Sequence, residues 1–156
     1  MTQKTQLQAA GDGTTVPAGY IGETVSAIRD QSGDTTLTGS AWVHHSSDFV
    51  TLSPGIWILY GAEYIYSSSA TDSLYGTEVN IGTVTGNNTT GFSTGHRGCA
   101  KVIGPSAAYL RHTVHTVPRV VTVTATTSYF IKIYVVSSTG GSWFTNGATL
   151  IAVRLA

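Results

Sequence analysis

Past Glu78 the chain contains no acidic residue: Asp12, Glu23, Asp30, Asp34, Asp48, Glu63, Asp72 and Glu78 all lie in the first half. Of the basic residues, only Lys4 and Arg29 precede that point, while Arg97, Lys101, Arg111, Arg119, Lys132 and Arg154 follow it. Charge is scarce overall, at 10% of residues with no net balance, against roughly a quarter in average globular chains. Six dispersed cations do not make a basic patch, which argues against a nucleic-acid partner. The two halves instead read as strands that interleave within one domain, or between subunits, so that opposite signs meet.

Other absences narrow the class further. Cys99 is the single cysteine, which excludes an internal disulfide and a cysteine-based zinc site. No apolar run approaches the ~20 residues of a membrane helix. The start, Met1-Thr-Gln-Lys-Thr-Gln-Leu-Gln, lacks the apolar segment of a signal peptide, so no membrane insertion is expected. Long amphipathic helices need Lys and Glu for their wet face, and both are rare here.

What is abundant is Thr, Val, Ile, Tyr and Gly, the composition of short strands joined by turns. Residues 127–136 form the densest run. Tyr129, Ile131, Ile133 and Val135 share one face by the two-residue period of a strand, and Phe130, Lys132, Tyr134 and Val136 share the other. Residues 55–67 repeat the pattern, with Ile56, Ile58, Tyr60, Ala62, Tyr64 and Tyr66 opposite Trp57, Leu59 and Ile65. A sheet exposed on one side alternates apolar with polar. Both runs are apolar on both faces, so a second covering layer is expected, and a partner subunit is the expected cover. The lysine on the second face of 127–136 places Phe130, Lys132 and Tyr134 at a contact with a partner chain or on a three-fold axis, beside an acid from the first half.

Further strands are expected over 20–29, in two short pieces within 41–52, over 77–84, 107–117 and 119–124, and over 148–155. Ala125-Thr126 reads as a hairpin link from 119–124 into 127–136. Residues 86–104 read as one long loop or two short strands, and 137–147 as a loop with Trp143 and Phe144 at its tip. Residues 1–16 read as a flexible leader or the remnant of a connection, and 17–156 as a single domain. Short antiparallel strands with turns every ~8–12 residues predict an all-β sandwich or jelly roll.

Few motifs carry chemistry. Gly91-Phe-Ser93-Thr-Gly95 matches the hydrolase elbow in letters. That mechanism needs a helix after the serine and an acid later in the chain, and neither follows. His112 and His115, like His44 and His45, are an odd number of residues apart, so on a strand each pair points to opposite faces and does not chelate. A three-fold axis could still gather three copies of one histidine around an ion or water. No glycosidase carboxylate pair can be picked out. No catalytic residue, metal or cofactor is assigned. Loop aromatics beside Ser, Asn and Gly suit recognition surfaces and equally suit anchors tucked against a sandwich. On the first reading Trp143, Phe144 and Asn146 in one loop, with Phe92, His96 and Arg97 in another, would contact a ligand.

Three stretches also carry a resemblance. They are Thr15-Val-Pro-Ala-Gly-Tyr-Ile-Gly-Glu-Thr-Val-Ser-Ala27, Ala41-Trp42 with Val50-Thr-Leu-Ser-Pro-Gly-Ile-Trp57, and Pro118-Arg-Val-Val-Thr-Val-Thr-Ala-Thr-Thr-Ser-Tyr-Phe-Ile with Gly147-Ala-Thr-Leu-Ile-Ala-Val-Arg-Leu155. Their order resembles a head domain found in tailed-bacteriophage tail fibres, spikes and other virion structural proteins. The resemblance implies a jelly roll of the tumour-necrosis-factor/C1q kind, assembled as a homotrimer. It implies a non-enzymatic virion protein, made in the host cytoplasm and carried on the phage particle. As a tail-fibre or spike tip it would bind a bacterial surface glycan or outer-membrane protein, with other virion proteins as further partners. The alternative is a capsid decoration or fibre-capping element with no receptor of its own.

Overall fold

The computed structural model describes residues 16–30, 34–37, 41–44, 46–67, 74–85, 98–100, 111–137 and 143–156. They form eleven strands: β1 (Thr24–Arg29), β2 (Thr35–Leu37), β3 (Trp42–Val43), β4 (Phe49–Leu52), β5 (Gly55–Ser67), β6 (Leu74–Gly82), β7 (Gly98–Ala100), β8 (Arg111–His115), β9 (Arg119–Val123), β10 (Thr127–Ser137) and β11 (Trp143–Arg154). Every pairing is antiparallel. One sheet runs β1-β11-β5-β8, with β2 extending β1's lane along β11 and β9 extending β8's lane along β5. The other runs β3-β10-β6-β7, with β4 also on β10. This is the all-β, two-sheet sandwich that the composition predicts.

The core lies between the sheets and follows the two-residue period. Trp57, Leu59 and Ile65 of β5, Ile131, Ile133 and Val135 of β10, and Leu150 and Ala152 of β11 are buried there. Gly61 lets the layers close in mid-strand. A Cβ at that position would stand 2.6 Å from Ile131 Cδ1, on the opposite sheet. The charge halves meet inside one chain: Arg154 Nε lies 3.0 Å from Glu23 Oε2, and its guanidinium sits 4.5 Å over the Trp57 ring. Arg154 Nη1 also donates to the Pro54 carbonyl at 2.8 Å, so the last strand is pinned to the start of β5.

Several strand limits differ from the sequence expectation. The first strand begins at Thr24, because Pro17–Glu23 is spent on two turns (Tyr20 N to Pro17 O, 3.3 Å; Glu23 N to Tyr20 O, 3.0 Å) with Gly19 and Gly22 at positive φ. The short β2 was not expected. The Ala125-Thr126 hairpin is corrected: β9 pairs with β5, whereas β10 belongs to the other sheet. Both edges of β10 are already occupied, one by β6 and the other by β3 and β4. The link therefore crosses between layers. The predicted loop 137–147 ends early, since β11 starts at Trp143 and absorbs Asn146 in a bulge between Thr145 and Gly147.

Candidate interaction interface

The outward positions of the six-stranded sheet follow from its register. Ile56, Ile58, Tyr60, Ala62, Tyr64 and Tyr66 run down β5. Val153, Ile151, Thr149 and Phe144 face the same way from β11, Ile28 from β1, Thr113 and His115 from β8, and Val120 and Thr122 from β9. Ile28 is 68% exposed and Val120 59%. Among the described residues, charge on this face lies toward its ends. Asp30 and Asp34 flank the ends of β1 and β2, with Asp34 accepting the Tyr66 hydroxyl at 2.5 Å, and Arg111 occupies the register position opposite Tyr66. The rings on this face are ordered in pairs: Tyr66 stacks on Phe144 with centroids 5.3 Å apart, and Tyr60 on His115 at 5.8 Å.

Two local features give the face relief. Where Gly147 follows the bulge, a shallow depression of about 250 Å³ opens, lined by the charged Arg29 and Asp30 as well as by Ile28, Ala62, Tyr64, Thr113 and Thr149. Beside it, the Tyr60 hydroxyl is hydrogen-bonded to His115 Nδ1. The chain after His115 is held by reciprocal bonds, Gly61 N to Thr116 Oγ1 at 2.9 Å and Thr116 N to Gly61 O at 2.8 Å. The imidazole position is thus set by the strand framework.

Under this face, on the inward side, lies a buried ionic cluster. Arg29 donates from Nε to Asp48 Oδ1 at 3.0 Å and from Nη2 to Oδ2 at 3.0 Å, and its Nη1 reaches the Thr145 carbonyl at 3.2 Å. Thr145 Oγ1 accepts from Arg29 Nη2 at 3.1 Å and donates to Glu63 Oε2 at 2.6 Å. Glu63 is fully buried, and its Oε1 has no hydrogen-bond partner. Burial pushes its carboxyl up from 4.5 to about 8, against the lowering hydrogen bond from Thr145, with Asp48 raising it further and Arg29 lowering it. The cluster ties β1, β5 and β11 to the residue that leads into β4. It is closed to solvent and serves as a clamp.

The second face of β10 is resolved differently from expectation. Lys132 is 0% exposed in a single chain, among the outward rings of its own sheet. Trp42 packs on Tyr134 (5.4 Å), Phe49 on Phe130 (5.4 Å) and His44 on Phe130 (5.6 Å). Asn80 stands opposite Lys132 in the register and is buried too. Burial holds the Lys132 ammonium below the usual lysine range. The placement of Lys132 at a subunit contact is therefore corrected, since its side chain presents no surface to a second chain. Phe130 and Tyr134 remain half-buried.

The predicted ligand contacts are scattered. Trp143 is 1% exposed and belongs to the core, because it begins β11 pointing inward opposite Leu37 and Ser67. Its loop-tip placement is corrected. Phe144 is half-buried on the opposite face against Tyr66. Asn146 sits in the bulge with a buried Oδ1 that lacks a partner. Phe92, His96 and Arg97 lie outside the described residues. The sequence reading passed over Glu63, although strand period places it on the Trp57, Leu59 and Ile65 face. It did mark the doubled apolar pattern of residues 55–67, the signal for the exposed sheet face.

The fold is similar to that of Eiger TNF from S. frugiperda, with a TM-score of 0.51 at 12% identity over 85% of this chain and 93% of that one. The globular domain of zebrafish complement 1qA gives 0.47 at 10% identity, covering 88% of this chain and 98% of that one. The infectious bursal disease virus VP2 subviral particle gives 0.46 at 13%, covering 85% of this chain and 32% of that one. No protein-family model matches the chain, and no curated protein matches it in sequence. The likeness to Eiger TNF establishes a jelly roll of the tumour-necrosis-factor kind.

Proposed function

We propose that this chain is a non-enzymatic bacteriophage virion head that assembles as a homotrimer through the outward face of its six-stranded sheet and attaches the particle to the bacterial surface. The observation that carries the reading is that face, with exposed Ile28 and Val120 and a mainly apolar and aromatic lining among the described residues, Asp30 entering at the depression. Four strand lanes about 4.8 Å apart and a central strand some 40 Å long present roughly 700–800 Å², near the ~800 Å² per partner of a stable interface. A surface of that size and polarity suits a second copy better than bulk water. The phage resemblance supports the virion assignment. Its motifs fall on the framework, in the turns before β1, in β3 to β5, and in β9 to β11.

Attachment by such a head draws on three copies of one weak site acting together. The receptor is a surface glycan or outer-membrane protein. Light scattering coupled to size exclusion tests the assembly, with a trimer expected for the wild type and monomers for the Ile28→Asp, Val120→Asp double variant. A monomeric wild type overturns it. Binding of the trimer to host cells, lost in the double variant, tests the attachment. A trimer that stays on the particle but binds no host surface would instead identify a decoration or capping element.

A further inference from the structure

We propose that Lys132 and Asn80 become joined by an isopeptide bond, from Lys132 Nζ to the side-chain carbonyl carbon of Asn80, which ties β10 to β6 in the middle of the five-stranded sheet. The bond forms within one chain, so it stands apart from the reading of the six-stranded sheet as a contact between copies.

The register places the two reactants together. Lys132 and Asn80 are direct partners in the β10–β6 ladder, and both are 0% exposed. Cβ atoms of such partners lie about 4.5–5.5 Å apart, a gap that the flexible stem of a lysine spans. Burial holds the Lys132 ammonium below the usual lysine range, which favours the neutral amine, the nucleophilic form. The ring pairs Trp42–Tyr134 and Phe49–Phe130 flank the site along the same face. With neither side chain reached by solvent, water is a poor competitor for the carboxamide.

The carboxamide is held as well. The Ile81 N–H donates to Asn80 Oδ1 at 2.8 Å, polarising the carbonyl and standing where negative charge develops during attack. Glu78 precedes Asn80 by two residues on β6, so it projects to the same face, half-buried and opposite Tyr134. In the reaction Nζ bonds to Asn80 Cγ and the carbonyl electron pair moves onto Oδ1. The Glu78 carboxylate takes a proton from Nζ and passes it to Asn80 Nδ2. The carbonyl then re-forms, the Cγ–Nδ2 bond breaks, and ammonia leaves with that electron pair. The product is a neutral amide, which removes the cost of keeping an ammonium away from water.

Intact mass spectrometry of the denatured full chain tests this. The wild type should weigh one ammonia less than its sequence, and trypsin should release residues 30–97 joined to residues 120–154 through an uncleaved Lys132. Lys132→Met, Asn80→Ala and Glu78→Gln should each show the full sequence mass. A wild type of full mass that is cut after Lys132 overturns the proposal. So does an ammonia loss that persists in Lys132→Met, because it would come from another asparagine. Linkage that persists in Glu78→Gln overturns the proton relay.

Discussion

Replacing Glu63 by Gln should remove the main alkaline slope of stability without disturbing the fold. Glu63 is fully buried, takes one hydrogen bond at 2.6 Å from Thr145, and leaves Oε1 unpartnered. With its carboxyl raised to about 8 by burial, the folded chain holds the proton about nine times in ten at pH 7. The unfolded chain releases it near 4.5. Between those two values the unfolded state binds fewer protons than the folded one, so stability falls as pH rises, by up to about 1.4 kcal/mol per unit. Below the window both states are protonated, and above it both are ionised, so the slope vanishes at each end. Glutamine mimics the protonated acid: its carbonyl can accept from Thr145 while the amide takes the place of Oε1.

The assay is urea unfolding of wild type and Glu63→Gln from about pH 5 to about pH 8, at one fixed protein concentration because assembly shifts apparent stability. The difference between the two proteins is the quantity to read. His112, whose burial lowers its value from 6.5, loses stability as pH falls below that value and so works against Glu63 in the acid part of the window. Subtraction removes it, and Lys132 with it. At about pH 5 the two proteins should agree within about 1 kcal/mol. Toward neutral pH the glutamine variant should gain on wild type by about 1 kcal/mol or more per unit. A flat difference refutes the placement of a protonated acid in this cluster, and so does a large loss in the variant at the acid end.

Lys132→Ala should lower stability by about 2–4 kcal/mol, the cost of a cavity where a long side chain was enclosed, and leave the oligomer unchanged by light scattering; a change of oligomer would restore the lysine to the interface. Trp143→Ala should cost about 3–5 kcal/mol in chemical denaturation. Phe144→Ala, on the outward face, should cost under about 1.5 kcal/mol in the same assay and register chiefly in the association constant. Equal losses for that pair would mean that the strand does not alternate as described.

The fold was legible because strand period is a local signal. Residues 55–67 and 127–137 are strands, and the split of residues 41–52 into two pieces is found as β3 and β4. The errors arise where partner choice decides. Nothing within 119–126 reveals that both edges of β10 are taken, so a two-residue link looks like a hairpin. Trp143 and Phe144 look like a loop tip beside Ser and Gly, until Leu37 and Ser67 on neighbouring strands give Trp143 an inward register. The clamp was hidden for a different reason. Its members, Arg29, Asp48, Glu63 and Thr145, are up to 116 residues apart, and no spacing within the chain announces them.

The two doubly apolar strands are covered to different degrees, which bears on the proposed association. On β10 the second face buries its lysine beneath Trp42, Phe130 and Tyr134, of which the last two stay half-buried. On β5 the second face carries Tyr60, Tyr64 and Tyr66, which stay half-buried, and Ile28 and Val120 beside it remain open. A strand apolar on both sides therefore predicts a cover but not whose. The deciding quantity is exposure left after the chain has folded, and among the described strand residues it is largest on the six-stranded sheet, at Ile28 and Val120. On the proposed reading, association through this face would depend mainly on buried area and fit.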